Sequence, residues 1–341
     1  MAAARARLSD VAERAGVSQK TVSNVLHNHP HVTARTREKV EDALRELNYQ
    51  VNLSARSLAS GRTGFIALAV PGLDNPYFAQ LAAKVIAAAG KYGWTVLIEQ
   101  TGGAGDSESQ VIAGATPYLV DGIVLHPEAL EAGDLVQRPD QTPIVLVGEK
   151  ALDHVADHVA ADNVAAARAL TEHLLEAGRR RIAVVGMQEN SAFTTSALRF
   201  DGYAAALSAA DIPIDPTLVV PTRHFDRATG AALAGRLAGM AAPPDAVICF
   251  NDVLAVGMLH GLLSAGLRVP DDIAVAGFDA IDEAAFTTPP LTSVAWDTSA
   301  IAEQALALLA ARGADDDRPQ QEIAVGFELV VRESTAFSAA R

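Results

Sequence analysis

Apolar residues recur with a helical period near the start of the chain. In the segment LSDVAERA they fall at positions i, i+3, i+4 and i+7. A helix would place these four residues on one face: Leu8, Val11, Ala12 and Ala15. Gly16 stands where a helix commonly ends in a left-handed residue, and Ser18 can cap a second helix. A third helical pattern follows in TARTREKVEDALRELNY, with Thr33 as its expected cap. Helices this short are not stable alone, so the pattern predicts three helices around one small core.

The second of these helices carries polar side chains on the side away from that core. Amide, ammonium and hydroxyl groups suit contacts with base edges and phosphates. The pattern therefore predicts a helix-turn-helix head that reads double-stranded DNA. The expected DNA contacts within it are Ser18, Gln19, Lys20, Thr21, Ser23 and Asn24.

From Gly64 onward, short apolar runs alternate with helical patterns in two series. The first series runs from Phe65–Val70 to Ile144–Val147, and the second from Ile182–Val185 to 273–276. Continuous apolar strands separated by helices predict parallel sheets covered on both faces. The fold class is therefore an all-α head followed by an α/β core of two doubly wound subdomains with a cleft between them. Two further segments, Val294–Trp296 and Val325–Val330, are expected to cross back between the subdomains.

Ligands of open parallel sheets bind beyond the carboxyl ends of the strands. Residues at such positions in the first series are Asn75, Phe78, His126, Gly148 and Glu149; those in the second are Arg199 with the loop before it, Phe225, Asn251, Asp252 and Asp279. Aromatic rings can stack on sugar or purine faces, while Arg and Asp can bind hydroxyl pairs or ring edges. Asn and Asp also favour strand-to-helix turns, so each alone is explained equally well as a cap. Together they predict a small-molecule site.

Charge is divided unevenly along the chain. The net charge is -14 overall, yet the residues through Arg62 contain 10 Lys and Arg against 6 Asp and Glu. A basic head on an acidic body indicates that only the head meets a polyanion, although an excess this small is also ordinary variation.

The sequence speaks against several other classes of protein. No apolar run approaches the roughly 18 residues of a membrane span, and no apolar stretch follows the basic N-terminus as in a secretory signal. Cys249 lies in the apolar run AVICF and is expected to be a buried thiol. These features predict a cytoplasmic protein with no membrane partner.

Metal, cofactor and catalytic motifs are also weak or missing. His27, His29 and His31 alternate around a proline, which gives poor convergence for a metal ion. The loop GGAG lacks the Lys-Ser/Thr of a phosphate-binding loop, and no GxSxG or HExxH motif occurs. We expect no metal, no cofactor and no enzymatic activity.

Several segments resemble the lac-repressor-type (LacI/GalR) family of regulators. They are DVAERAGVSQKTVSNVL, VTARTREKV and LNYQVNLSARSLAS in the head and hinge, and NPYF, LRFDGY, FNDVLAVG and GFDAIDEAAFTTPPLTSV in the body. The resemblance covers most of the chain. It implies a DNA-binding head at 1–51, a hinge helix and linker at 52–63 and a periplasmic-binding-protein-like effector core at 64–335. The core would divide into an N-subdomain, about 64–163 and 297–324, and a C-subdomain, about 164–294 and 325–335.

The resemblance also implies residue roles. Two hinge helices would pair in the minor groove, where Leu58 would wedge into the central base step beside Arg56. A flexible linker with an incidental leucine is the alternative. The expected effector contacts are Asn75, Phe78, His126, Thr195, Arg199, Phe225, Asn251 and Asp279.

The chain departs from the family in two places. Arg7 stands where the family usually has a Thr-like cap, so Ser9 is the alternative cap of the first helix. Gly148 and Glu149 replace a common Asp-Arg pair, so the effector's identity does not transfer from the family.

The sequence thus predicts a homodimeric, effector-controlled transcription regulator, a repressor on a palindromic operator. The expected effector is a sugar, with a purine or another small metabolite as the alternative. A cytoplasmic solute-binding protein is the competing class, with an enzyme as a third. The tail STAFSAAR has no heptad repeat, so no tetramerising helix is expected.

Overall fold

The computed structural model of the protein describes residues 6–26, 29, 31–49, 62–113, 120–138, 141–149, 152, 155–188, 195–315 and 317–336. The chain forms two compact units, Met1–Thr63 and Gly64–Arg341. The predicted hinge residues Arg56 and Leu58 lie outside the described residues, so their roles stay predictions.

The described part of the first unit contains three helices around one core. They are α1 (Leu8–Ala15), α2 (Gln19–Leu26) and α3 (Ala34–Glu46). The buried residues of the core are Val11, Ala12, Val22, Val25, Val40 and Ala43. An ion pair of 2.5 Å between Arg14 and Glu46 joins α1 to α3. The predicted three-helix core is confirmed.

The ends of these helices follow the sequence signals with one exception. Gly16 ends α1 at a φ of 66°, which glycine adopts without steric cost. The Ser18 hydroxyl accepts the Thr21 N–H at 3.1 Å, as expected for a cap. The alternative cap at Ser9 is wrong, because α1 already begins at Leu8 and the Arg7 N–H donates to the Asp10 carboxylate at 2.8 Å.

The second unit is built on two sheets, called sheet A and sheet B here. In the described residues, sheet A has the order β11-β5-β4-β3-β1-β2, with all neighbours parallel. Its strands are β1 (Phe65–Val70), β2 (Thr95–Gln100), β3 (Ile123–Leu125), β4 (Ile144–Val147), β5 (Asp157–Ala161) and β11 (Glu322–Val325). Its helices are α4 (Pro76–Ala89), α5 (Gly105–Ile112), α6 (Ala132–Gln137) and α11 (Thr298–Arg312). We call this half the N-subdomain.

Sheet B has the order β12-β10-β9-β8-β6-β7 in the described residues, and β12 runs antiparallel to β10. Its strands are β6 (Ile182–Met187), β7 (Val219–Pro221), β8 (Ala246–Cys249), β9 (Ala274–Phe278), β10 (Thr292–Trp296) and β12 (Phe327–Val330). The helices of this half, the C-subdomain, are α7 (Asn163–Glu176), α8 (Thr195–Ala209), α9 (Arg227–Ala238) and α10 (Asp252–Ser264). Two doubly wound sheets confirm the predicted fold class.

The described chain passes between the two sheets at Asp162, Asp297 and Gly326. The predicted crossing within 325–330 is confirmed, but as two strands and not one, since β11 ends at Val325 in sheet A and β12 begins at Phe327 in sheet B. Both strands are only four residues long and one residue apart, so the sequence pattern does not separate them. The segment Val294–Trp296 lies within β10 of sheet B, and the passage follows it at Asp297. No helix in the described part of the chain is long and apolar enough to cross a membrane.

A buried ion-pair cluster holds the return from α11 to β11 against β5. Asp157 is 0% exposed, and its carboxylate accepts bonds from Arg312 Nε at 3.2 Å, Arg312 Nη2 at 3.1 Å and Arg318 Nη2 at 2.5 Å. The Gln321 N–H donates to it at 2.8 Å. Because β5 leads directly into the crossover at Asp162, this cluster fixes one side of the passage between the subdomains.

Asp157→Asn should lower the free energy of unfolding by about 3–5 kcal/mol, because it leaves buried guanidinium groups without a counter-charge. The matched control is Glu172→Gln, which breaks a 2.7 Å surface pair with Arg168 and should cost less than about 1 kcal/mol. Urea denaturation measures both variants. Equal losses would contradict a structural role for the cluster.

Candidate functional site

Helix α2 presents its polar side away from the core of the head. Ser18, Gln19 and Lys20 are exposed, while Thr21, Ser23 and Asn24 are half-buried. The Thr21 hydroxyl lies 2.9 Å from Ser18 Oγ, so these two residues also build the start of the helix. Gln19 and Lys20 are therefore the freest to reach base edges or phosphates, and DNA contact by the six residues stays a prediction.

A cavity of about 430 Å³ lies between the two subdomains, where the carboxyl ends of their strands meet. All eight side chains predicted to contact the effector line it: Asn75, Phe78, His126, Thr195, Arg199, Phe225, Asn251 and Asp279. The fold thus brings together residues that are far apart in sequence. Their role in ligand binding stays a prediction.

Arg199 is the central cation of this cavity, although only 4% of it is exposed. Its Nε donates to Asn163 Oδ1 at 2.7 Å, and its Nη1 donates to the Phe250 carbonyl. The guanidinium carbon lies 4.2 Å from the centre of the Phe278 ring, within cation–π range. These contacts fix the guanidinium in one orientation before anything else binds it.

Asp279 faces this guanidinium, with its Oδ1 3.6 Å from Arg199 Nη2. The same oxygen accepts the Trp296 indole N–H at 3.1 Å. Burial raises the pKa of Asp279, while Arg199 and the Trp296 bond act in the opposite direction. The backbone of Asp279 has a φ of 97°, a strain of about 1–3 kcal/mol of the kind that collects at ligand sites.

The N-subdomain side of the cavity is acidic. The fully buried Glu108 carboxylate accepts three backbone N–H bonds, from Glu128 at 2.8 Å, Ala129 at 3.1 Å and Leu130 at 2.7 Å, which fixes the loop that carries Glu128. Burial raises the pKa of Glu128, and the neighbouring Glu108 and Glu149 carboxylates raise it further against the effect of His126. The cavity is therefore poorly suited to an anionic group on this side.

Two of the predicted contacts also cap helices. Asn75 Oδ1 accepts the Tyr77 N–H at 3.1 Å at the start of α4, and Asn251 Oδ1 accepts the Leu254 N–H at 2.8 Å at the start of α10. Asp252, which also stands at a strand end, is a buried structural residue: its carboxylate accepts the Ser293 hydroxyl at 2.7 Å and the Ile281 N–H at 3.0 Å. Each cap uses the amide oxygen only. The Asn251 amide nitrogen also donates to the Phe225 carbonyl at 3.5 Å, but an amide has a second N–H, so the capping role and a ligand role are compatible.

Sequence reasoning missed several residues that build the cavity. Tyr77, Glu128 and Trp296 line it, and Asn163 holds Arg199 from behind. Tyr77 stands beside Phe78 in the quoted motif NPYF, so its place at a strand end was a usable signal. Asn163 gave no such signal, because its burial depends on how the crossover packs.

Two family models match the chain. The model of bacterial regulatory proteins of the lacI family matches residues 7–52, and the periplasmic binding protein-like domain matches residues 171–335. The HTH-type transcriptional regulator DegA of Bacillus subtilis (strain 168) is 32% identical, over 96% of this chain and 97% of its own length. The chain belongs to the lacI family of bacterial regulatory proteins. The HTH-type transcriptional repressor PurR of Vibrio atlanticus (strain LGP32) is 31% identical, over 96% of this chain and 98% of its own.

Solved structures of the lacI family agree with the fold. A LacI-family regulator from Sanguibacter keddieii DSM 10542 has a TM-score of 0.75 at 40% identity, over 81% of this chain and 100% of its own. The regulator CelR in complex with cellobiose has a TM-score of 0.70 at 30% identity, over 97% of this chain and 100% of its own. The lac repressor dimer bound to operator and the anti-inducer ONPF has a TM-score of 0.84 at 25% identity, over 97% of this chain and 99% of its own. This lacI-family chain is a DNA-binding transcription regulator and not an enzyme, which decides against the solute-binding alternative.

In this lacI-family chain the backbone and a neighbouring ring leave little room for a side chain at position 148, one of the two positions where it departs from the common Asp-Arg pair. Gly148 has a φ of 104°, and a Cβ placed on it would lie 2.6 Å from His126 Nε2. The His126 ring, which packs edge-on against Phe78 at 5.0 Å, therefore occupies the space that a side chain at position 148 would need.

Gly148→Ala should destabilise the protein by about 1–3 kcal/mol, because the added methyl group meets the His126 ring. In a His126→Ala background the same change should cost less, since only the backbone strain remains. Chemical denaturation of the four proteins gives the coupling energy between the two positions. Additive losses would show that the ring and the glycine are independent.

Proposed function

We propose that this regulator is a repressor that binds a palindromic operator as a homodimer and responds to a small-molecule effector in the cavity between its subdomains. The observation that carries the proposal is the convergence of eight strand-end side chains from both sheets on one cavity. Its volume, about 430 Å³, lies in the range of small-molecule sites.

A sugar is the effector class that we favour. The aromatic rings of Phe78 and Phe225 offer stacking faces, and the buried Arg199–Asp279 pair can bind neighbouring hydroxyl groups. The 30% identical regulator CelR, solved with cellobiose, supports this choice. A purine or another small metabolite is the alternative, and the ligand screen described below separates the two.

A homodimer follows from how such a head reads DNA. One recognition helix contacts few base pairs, and a two-fold dimer doubles the site and makes it palindromic. The lac repressor neighbour is a dimer on its operator, and the Vibrio atlanticus relative is a repressor. Phe286 is 85% exposed on the C-subdomain, and an aromatic ring so exposed suits a contact between subunits.

Control by an effector requires unequal affinity for two arrangements of the protein. A ligand that bridges the subdomains stabilises one arrangement of the cleft. We propose that this arrangement sets the spacing of the two hinge segments, where Leu58 and Arg56 would meet the DNA minor groove of the operator. Such an operator lies in the bacterial cytoplasm, where we place the protein.

Replacing Gln19, Lys20 and Asn24 together with the residues of another family member should change which operator is preferred. Each good pairing of side chain and base contributes about 1–3 kcal/mol of discrimination. Selection from randomised DNA measures the preference, with Lys39→Ala on α3 as an exposed control outside the recognition helix. An unchanged preference would mean that α2 does not read the bases.

A thermal-shift screen of sugars, polyols and nucleobases should find a compound that raises the melting temperature, because binding to the native state alone stabilises it. For that compound, Arg199→Ala should lose about 1.5–3 kcal/mol of affinity, roughly tenfold to hundredfold, by calorimetry. Phe225→Ala tests the same cavity while leaving the buried charge pair intact. The control is Arg268→Ala, whose guanidinium pairs with Asp272 on the surface. Unchanged affinity in both cavity variants would place the ligand elsewhere.

A further inference from the structure

Glu149 belongs to the N-subdomain, but its hydrogen-bond partners belong to the C-subdomain. It follows β4 of sheet A, and its Oε1 accepts Asn163 Nδ2 at 2.9 Å while its Oε2 accepts the Thr195 hydroxyl at 2.8 Å. Asn163 begins α7, which packs against β10 and β12, and Thr195 begins α8, which packs against β6. Both bonds therefore cross from one subdomain to the other.

The surroundings of Glu149 favour a charged carboxylate. Its side chain is 12% exposed, and burial by itself would raise its pKa. The neighbouring His126 and Arg199, with the bonds from Thr195 and Asn163, instead lower the pKa below its usual value. Hydrogen bonds to a charged acceptor are about twice as strong as neutral ones, and a shielded site strengthens them further.

The two partners are held by further contacts. Asn163 uses its Oδ1 to accept Arg199 Nε at 2.7 Å, which ties it to α8 of the C-subdomain. Its Nδ2 also donates to the Ala161 carbonyl at 3.3 Å, at the end of β5 in the N-subdomain. Thr195 lies one helical turn before Arg199 on α8. A movement that separates the subdomains at this point breaks the Thr195 bond, because α8 moves with the C-subdomain. The Asn163 bond lies at the crossover, where it joins Glu149 to the residue that holds Arg199.

We propose that Glu149 is a latch that holds the two subdomains together across the cavity in the absence of effector. The bonds need no ligand, since all three participating groups belong to the protein. The protein is closed when the latch bonds join the subdomains and open when these bonds are broken. The latch sets the ratio of the closed to the open form and, through this ratio, the apparent affinity for any ligand that prefers one form. An effector whose hydroxyl groups take over the Asn163 or Thr195 bonds acts directly on this ratio. The inference rests on the proposed function only for that regulatory consequence.

The test measures the distance between the subdomains in the full-length protein without ligand or DNA. Spin labels at Gln137→Cys in the N-subdomain and Ser208→Cys in the C-subdomain use two exposed positions, and the native Cys249 is buried and out of reach of the label. The labelled protein is mixed with an excess of unlabelled protein so that each dimer carries the labels on one subunit only, and pulsed electron paramagnetic resonance should then give one main distance for the labelled parent. Glu149→Gln and, separately, Thr195→Val should add a second distance population, with the closed-to-open ratio falling about tenfold, which corresponds to about 1.4 kcal/mol.

The control removes a chemically similar bond that lies within one subdomain. Thr217→Val deletes the 2.6 Å bond from the Thr217 hydroxyl to the Asp215 carboxylate and should leave the distance distribution unchanged. The double variant of Glu149 and Thr195 should open no further than Glu149→Gln alone, because the two residues share one interaction.

Identical distance distributions in the parent and both latch variants would overturn the proposal. A shift in the distance distribution of Thr217→Val as large as that of the latch variants would also overturn it. Thr195→Val leaves the buried carboxylate in place, so it reports on the latch even if Glu149→Gln folds poorly. Because the experiment contains neither ligand nor operator, its failure leaves the proposed effector site standing. A failed Arg199→Ala titration would likewise leave the latch standing.

Discussion

A guanidinium with almost no access to water has to be paired by the protein, and that constraint organises the cavity around Arg199. The three partners that meet it come from separate places in the fold. The Phe250 carbonyl follows β8, Asp279 follows β9, and Asn163 stands at the crossover between the sheets. Satisfying one buried charge thus fixes two strand-end loops and one passage between the subdomains.

The same network reaches across the cavity. Asn163 joins Arg199 to Glu149, which extends a C-subdomain cluster to the end of β4 in the N-subdomain. At the far end of β5, Asp157 is held by Arg312 and Arg318. The crossover is thus bounded by buried, charge-assisted bonds on both sides. Buried networks of this kind have discrete arrangements, which suits the effector control that we propose.

Those parts of the molecule that depend on local pattern were predictable from the sequence. The helical period of Val11, Val22 and Val40 and the caps at Ser18 and Thr33 are local signals, and the structure has the head as expected. The eight cavity residues could also be predicted from the sequence, because parallel strands place their carboxyl ends at one edge whatever the loop sequences are. Family membership agrees with the motifs in both parts of the chain.

The parts that depend on tertiary pairing were not predictable. Strand β5 begins with the polar pair Asp157-His158. Asp157 is buried against Arg312 and Arg318, which come from far along the chain, while the His158 ring meets the Gly148 carbonyl at 2.7 Å. The close approach of the His126 ring to Gly148 could not be predicted, because it depends on how β3 and β4 place the two loops that follow them. The bonds of Glu149 likewise join positions whose nearness depends on how the two sheets face each other.

The central claim is that the cavity and the DNA-reading head form one regulatory system. The most direct test is reciprocal: the affinity of the effector found by screening is measured for the free protein and for the protein saturated with operator, alongside operator affinity with and without effector. Thermodynamic linkage requires the two ratios to be equal, and we expect both to depart from one by a factor of about 5–150. An effector affinity that is the same with and without operator would contradict the account.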